Sequence, residues 1–155
     1  MRDKRFIAEH RGGPLKKEHH RQLIIWACAC AEHVLMISGK KTDERLLYAL
    51  FVAREWEKGM TSVGVAMKAS SGAHAVARES SDPVAIAIAR AVGHSVAAAH
   101  MSDHSLGSAL YGLKAVNKAG KSVEQERKWQ NEQLPSEIRD LVISARIEKE
   151  KHFKI

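Results

Sequence analysis

The stretch from residue 60 to residue 113 holds three Lys/Arg and three Asp/Glu in 54 positions. A stretch so poor in charge has little to keep it solvated and reads as core. It is also rich in Ala, Gly and Ser, so the elements built from it approach one another closely. Its most apolar part, residues 83–101, carries Arg90 near the middle and His94 one turn later. A charge there would cost about 2.5–3.5 kcal/mol at the centre of a bilayer. The stretch is therefore read as a buried helix and not as a membrane span. A chain of 155 residues has room for one core. With 45% hydrophobic and 28% charged residues it is not a largely disordered chain.

Helix signals run through the whole sequence. Leu23, Trp26, Ala27, Cys30, Val34 and Ile37 recur at spacings of three and four and predict a helix over 16–37, ended by Gly39. Thr42 is placed as the next N-cap, with Asp43 and Glu44 in the first turn. Leu46, Leu47, Leu50, Phe51 and Trp56 are read as the apolar face of that second helix, which Gly59 stops. A third spans 62–79. Asp82-Pro83 starts a fourth, over 83–100, because Asp caps well and Pro suits the first helical position. Ser102 or Asp103 caps a fifth to about 119. Ser122 with Gln125 fits a capping box for a sixth. Pro135-Ser136 opens the last. No run alternates with period two and no Asn-Gly or Asp-Gly hairpin signal occurs. The expected fold is all-α: a compact single domain over 1–155, a bundle of about seven helices with an Ala-rich core. Residues 1–15 are read as an extended arm and 148–155 as a charged tail. An echo between residues 73–77 and 93–97 is too short for a repeat array.

The net charge of +7 lies at the ends. Residues 1–22 contribute +4 and residues 114–155 contribute +3, around a neutral body. That invites a nucleic-acid reading built on Arg2, Lys4, Arg5, Arg11, Lys16, Lys17 and Arg21. Aromatic residues are only 5%, so bases would find few stacking partners. The single Arg11-Gly12-Gly13 is not an RGG array. Cys28 and Cys30 point to different sides of one helix and cannot pair with each other. The charged start, Met1 to Arg5, leads into no apolar h-region. A cytoplasmic location is expected.

Candidate chemistry gathers on the central histidines. Arg78 follows His74 by one turn, and Arg90 precedes His94 by one turn. His74, Arg78, Arg90 and His94 are read as a polar network inside the core. His100 and His104 stand at i, i+4 with Asp103 between them. On one continuous helix they would present two imidazoles to a cation such as zinc, with His94, Asp82 or Glu79 as further ligands. A helix break at Ser102-Asp103 would spoil that geometry, so no cofactor is predicted and a metal site at His94, His100, Asp103 and His104 is the alternative. An acid–base enzyme would use His74, His94, His100, Asp103 and His104. No Walker A, Rossmann or G-x-S-x-G pattern is present.

Three stretches resemble one bacterial family: RFIAEHRGGPLKKEHHRQLIIWACACAEHVL, HAVARESSDPVAIAIARAVGHSVAAAHMSDHSLGSALYGLKAV and ERKWQNEQLPSEIRDLVISARIEKEKHF. Together they are similar to immunity proteins of polymorphic toxin systems over almost the whole chain. The resemblance implies a small cytoplasmic all-α protein that binds and blocks a cognate toxin, with no enzyme activity and no cofactor. It supplies no toxin-contact residues. Immunity proteins against basic nucleases gain from an acidic face. This chain is basic, so its toxin is expected not to be a basic nuclease, unless Asp43, Glu44, Glu55 and Glu57 form a local acidic patch. The Ala-rich faces would also suit a homodimer.

Overall fold

Asp82 and Pro83 begin the helix around which the others are arranged. The computed structural model describes residues 2–155; Met1 lies outside it. Two 3-10 turns, Lys4–Phe6 and Glu9–Arg11, precede seven α-helices. These are α1 Lys17–Leu35, α2 Glu44–Glu57, α3 Val63–Glu79, α4 Pro83–Ala97, α5 His104–Lys118, α6 Val123–Glu132 and α7 Ser136–Glu150. The described residues contain no β-strand, and the one β-bridge joins Ala8 to Leu15. The fold is the all-α bundle that the helix punctuation predicts.

The punctuation works largely as read, with two shifts. Ser62, Asp82 and Ser122 each accept a backbone N–H with their side chains at helix starts. Gly39, Gly59 and Gly120 close helix ends in the left-handed conformation. The second helix is capped by Asp43 and not by Thr42. The Asp43 carboxylate accepts from the Arg45 N–H and is held by the Arg45 guanidinium at 2.9 Å, a bond the Thr hydroxyl cannot match. The fourth helix ends at Ala97, short of His100, and the chain turns through 98–103.

The N-terminal segment is folded onto the bundle and is not an extended arm. Phe6 and Leu15 are buried, and the Phe6 carbonyl accepts from the Ser102 hydroxyl at 2.5 Å. Gly12 turns the chain at φ 82°. A Cβ on Gly13 would strike the Ile7 carbonyl. The Arg-Gly-Gly is thus a structural turn. At the other end, Phe153 is half-buried and packs edge-on against Tyr111 at 5.0 Å.

Helix α4 packs against α1, α2, α3 and α5, and its central position explains its lack of charge. The core has two textures. Thirteen of the twenty-three buried residues around α4 are alanines. The cluster between the N-terminal segment, α1, α5 and α7 is built from Phe6, Leu23, Trp26, Leu106, Leu134 and Ile138. Around α4 the backbones come close enough for Ser70 on α3 to donate to the Gly93 carbonyl at 2.9 Å. Ser108 on α5 likewise donates to the Ala27 carbonyl at 2.9 Å. Small side chains are what permit this spacing.

Overpacking should therefore be felt first in this half. Ala73→Leu or Ala91→Leu is expected to lower stability by about 1–3 kcal/mol in urea unfolding. An unchanged midpoint for both would show that the helices are not close-packed there.

Candidate functional site: a histidine cleft and an apolar ridge

Close packing also positions the histidines. His74 on α3 covers Gly93 on α4; a Cβ on Gly93 would lie 2.7 Å from its Cε1 and Nε2. His94 covers Gly107 on α5 in the same way, at 2.6 Å from Nδ1. Arg90 donates to His74 Nδ1 at 2.7 Å. His74 and His94 meet edge-on at 5.5 Å, and His94 stacks on Tyr111 at 5.2 Å. The Nδ1 atoms of His94 and His104 lie 3.1 Å apart, so one donates and the other accepts.

These contacts need neutral rings, and the surroundings keep them so. Burial, then the charges of Arg90 and Arg78, push His74 down to about 4. Burial, then the neighbouring His104 and His74, push His94 down to about 3. Burial lowers His104 as well. Of the four residues read as a core network, His74, Arg90 and His94 are thus joined. Arg78 is exposed and reaches His74 only through its charge.

The four residues read as metal ligands are not brought to one point. The turn at 98–103 takes His100 away from His104. His100 lies 3.4 Å from Arg11, and the Asp103 carboxylate pairs with Arg2 at 3.3 Å. Two of the four thus sit beside cations, which oppose a bound metal. Among the described residues no three His, Cys, Asp or Glu side chains converge on a cation site. Asp82 instead pairs with Lys40 at 3.3 Å, and Glu79 with Arg45 at 2.9 Å. Cys28 and Cys30 are free and buried; burial pushes the Cys28 thiol up to about 12 and the Cys30 thiol further up. Neither is an activated nucleophile.

Of the acidic residues Asp43, Glu44, Glu55 and Glu57, two are paired within the fold. Asp43 is held by Arg45, and Glu55 lies 3.8 Å from Lys58.

Between those charges lies a feature the periodicity misplaced. Leu47 and Phe51 were expected inside with Leu46 and Leu50; they face solvent, 52% and 59% exposed. Tyr48 joins them on α2, Met60 stands in the turn at 69% exposure, and Val63 and Met67 continue the row on α3. Both helices pack on α4 and on each other, and these exposed residues of α2, the turn and α3 are referred to as the α2–α3 ridge. The signal was present in the sequence. Ala49 and Ala53 stand on the opposite side of α2 from Leu47 and Phe51, and they mark the side that is packed.

The geometry therefore defines an all-α bundle with a neutral, internally bonded histidine cluster and an exposed apolar ridge. The pattern of the family described as "Imm-5 like putative immunity protein" matches residues 13–137, and the chain belongs to that family. No curated protein and no solved structure matches the chain. No helix among the described residues is long and apolar enough to cross a membrane.

The histidine cluster makes stability depend on pH with a defined sign. The unfolded chain takes up protons near the usual histidine value of about 6.5, whereas His74 and His94 stay neutral in the fold until about 4 and about 3. The unfolded state binds more protons in that window, so stability falls as pH drops from about 6.5. After allowance for solvent screening, the loss by pH 5 should be on the order of 1 kcal/mol per histidine. His94→Gln should flatten the dependence of the urea midpoint on pH between 7 and 5, within the window set by those shifts. An equally steep variant would place the pH-sensitive group elsewhere.

Proposed function

We propose that this protein is an immunity protein that binds and neutralises a cognate bacterial toxin without chemistry of its own. Family membership supports the class, and the observation that carries the protein-binding reading is the α2–α3 ridge. Large aromatic, Leu and Met side chains left in water on two neighbouring helices offer a surface for a partner to cover. Interface centres are enriched in aromatic residues and Met. Met60 and Met67 add side chains that adapt to a partner's shape. Phe51, with Leu47 and Tyr48 beside it, is the anchor. A cytoplasmic site of action fits two free buried cysteines.

A metal-dependent reading would need His94 and His104 to gain a third ligand, and their neighbours Lys149 and Arg2 carry positive charge. The ridge has no such obstacle.

The test is protection of cells by co-expression with the toxin. Leu47→Ala with Phe51→Ala should keep the fold, because both side chains are exposed, yet weaken toxin binding by about 2–4 kcal/mol and remove protection. Full protection by Phe51→Asp would exclude the ridge as the contact.

A further inference from the structure

A second surface differs from the ridge in kind. A cleft of about 420 Å³ runs between α4 and α5, lined by Ile86, Arg90, Tyr111, Lys114, Lys118 and Lys154 among others, and no Asp or Glu side chain lines it. It adjoins a cleft of about 440 Å³ that shares Tyr111 and adds Lys149. Several cations elsewhere on the molecule are paired within the fold. Arg45 binds Asp43 and Glu79, Arg127 binds Glu124 and Glu150, Arg54 binds Glu32, and Lys151 binds Glu148. Among the described residues Lys114, Lys118, Lys149 and Lys154 make no ion pair. Arg90 donates to the neutral His74, so its charge stays uncompensated. The one carboxylate of the adjoining cleft, Asp103, is already taken by Arg2. The fold has gathered unmatched positive charge from the neutral centre and from the C-terminal segment into one groove.

The floor of that groove says which anion fits. Pro83, Ile86, Ala87 and Ile155 make it apolar. Tyr111 is the aromatic residue within it. One face of its ring stacks against His94 and its side meets Phe153 edge-on. The ring is thus engaged by two neighbours, and the groove lining offers no second aromatic residue on which successive bases of a single-stranded nucleic acid could stack. Carboxylates alternating with apolar side chains satisfy both walls and floor.

We infer that the α4–α5 groove binds an acidic, apolar-interleaved polypeptide segment, and that on the toxin reading given above this segment belongs to the toxin. Unmatched cations around a low-dielectric floor attract such a segment at long range, and the apolar contacts then fix it. The chain would hold its partner at two places, an apolar ridge and a basic groove on different sides of α4.

The probe is a short fluorescein-labelled peptide of alternating Glu and Leu, followed by anisotropy at low and physiological salt. Its controls are the same peptide with Gln for Glu and an oligothymidylate of equal charge. Lys118→Glu with Lys154→Glu reverses two exposed groove cations. Lys16→Glu with Lys17→Glu makes the same change of net charge at the start of α1. The wild type should bind the Glu peptide and not the Gln peptide. The groove pair should weaken binding by at least about tenfold, and the α1 pair should leave it unchanged. Equal loss in both pairs would reduce the effect to net charge and overturn the inference, as would absence of binding. Tighter binding of the oligothymidylate, lost in the groove pair, would make the groove a nucleic-acid site and overturn it equally. The probe contains no toxin, so failure here and failure of protection in cells are separate results.

Discussion

The contact between α3 and α4 at Gly93 governs the rest of the structure. The Ser70 hydroxyl reaches the Gly93 carbonyl, and the His74 ring lies where a Cβ would be. Small residues are what let the helices come this close. Alanine hence dominates the core around α4. The consequence reaches the surface. A helix packed through Ala49 and Ala53 keeps Leu47, Tyr48 and Phe51 outside. The close-packed interior and the apolar ridge are two sides of one arrangement.

The same constraint gives the histidines their character. Rings laid over glycines and against one another are desolvated, which favours their neutral form. Arg90 then meets a neutral acceptor in place of a carboxylate. A charge that would ordinarily be cancelled inside the fold is left at the groove's edge. In the other half of the core Arg146 is treated differently. It is 2% exposed, donates to Asn131 and Gln130, and lies over Trp26. Its charge faces inward and serves packing.

Much of the architecture was legible because helix ends carry local chemistry. Ser62, Asp82-Pro83, Ser122 and the closing glycines act within a turn of where they stand. The break after Ala97 was legible in part, since Ser102-Asp103 suggested it, but its position depends on the contact of Ser102 with Phe6, far away in sequence. The folding of residues 2–15 onto the bundle was not legible for the same reason: Phe6 sits in a run of charges, and its partners are Leu106, Ile138 and Val142. The histidine cluster was half legible. Helix spacing placed Arg90 and His94 one turn apart, while the meeting of His74 with Arg90 and of His94 with His104 is tertiary. The ridge was misread because a count of apolar residues at spacings of three and four does not say how much of the arc the neighbours cover. The alanines hold that information.

Charge follows a similar logic. The +7 of the chain lies at its ends in sequence, yet the fold places Lys154 beside Arg90, Lys114 and Lys118. The outer faces of α2 and α3 are the docking surface proposed for a toxin. Hydrogen–deuterium exchange of the protein with and without the toxin proposed as its partner addresses this most directly. The account predicts slower exchange on complex formation at residues 47–51 and 60–67, with α6 unchanged. Protection confined to α6 and α7, with the ridge exchanging as in the free protein, would contradict it.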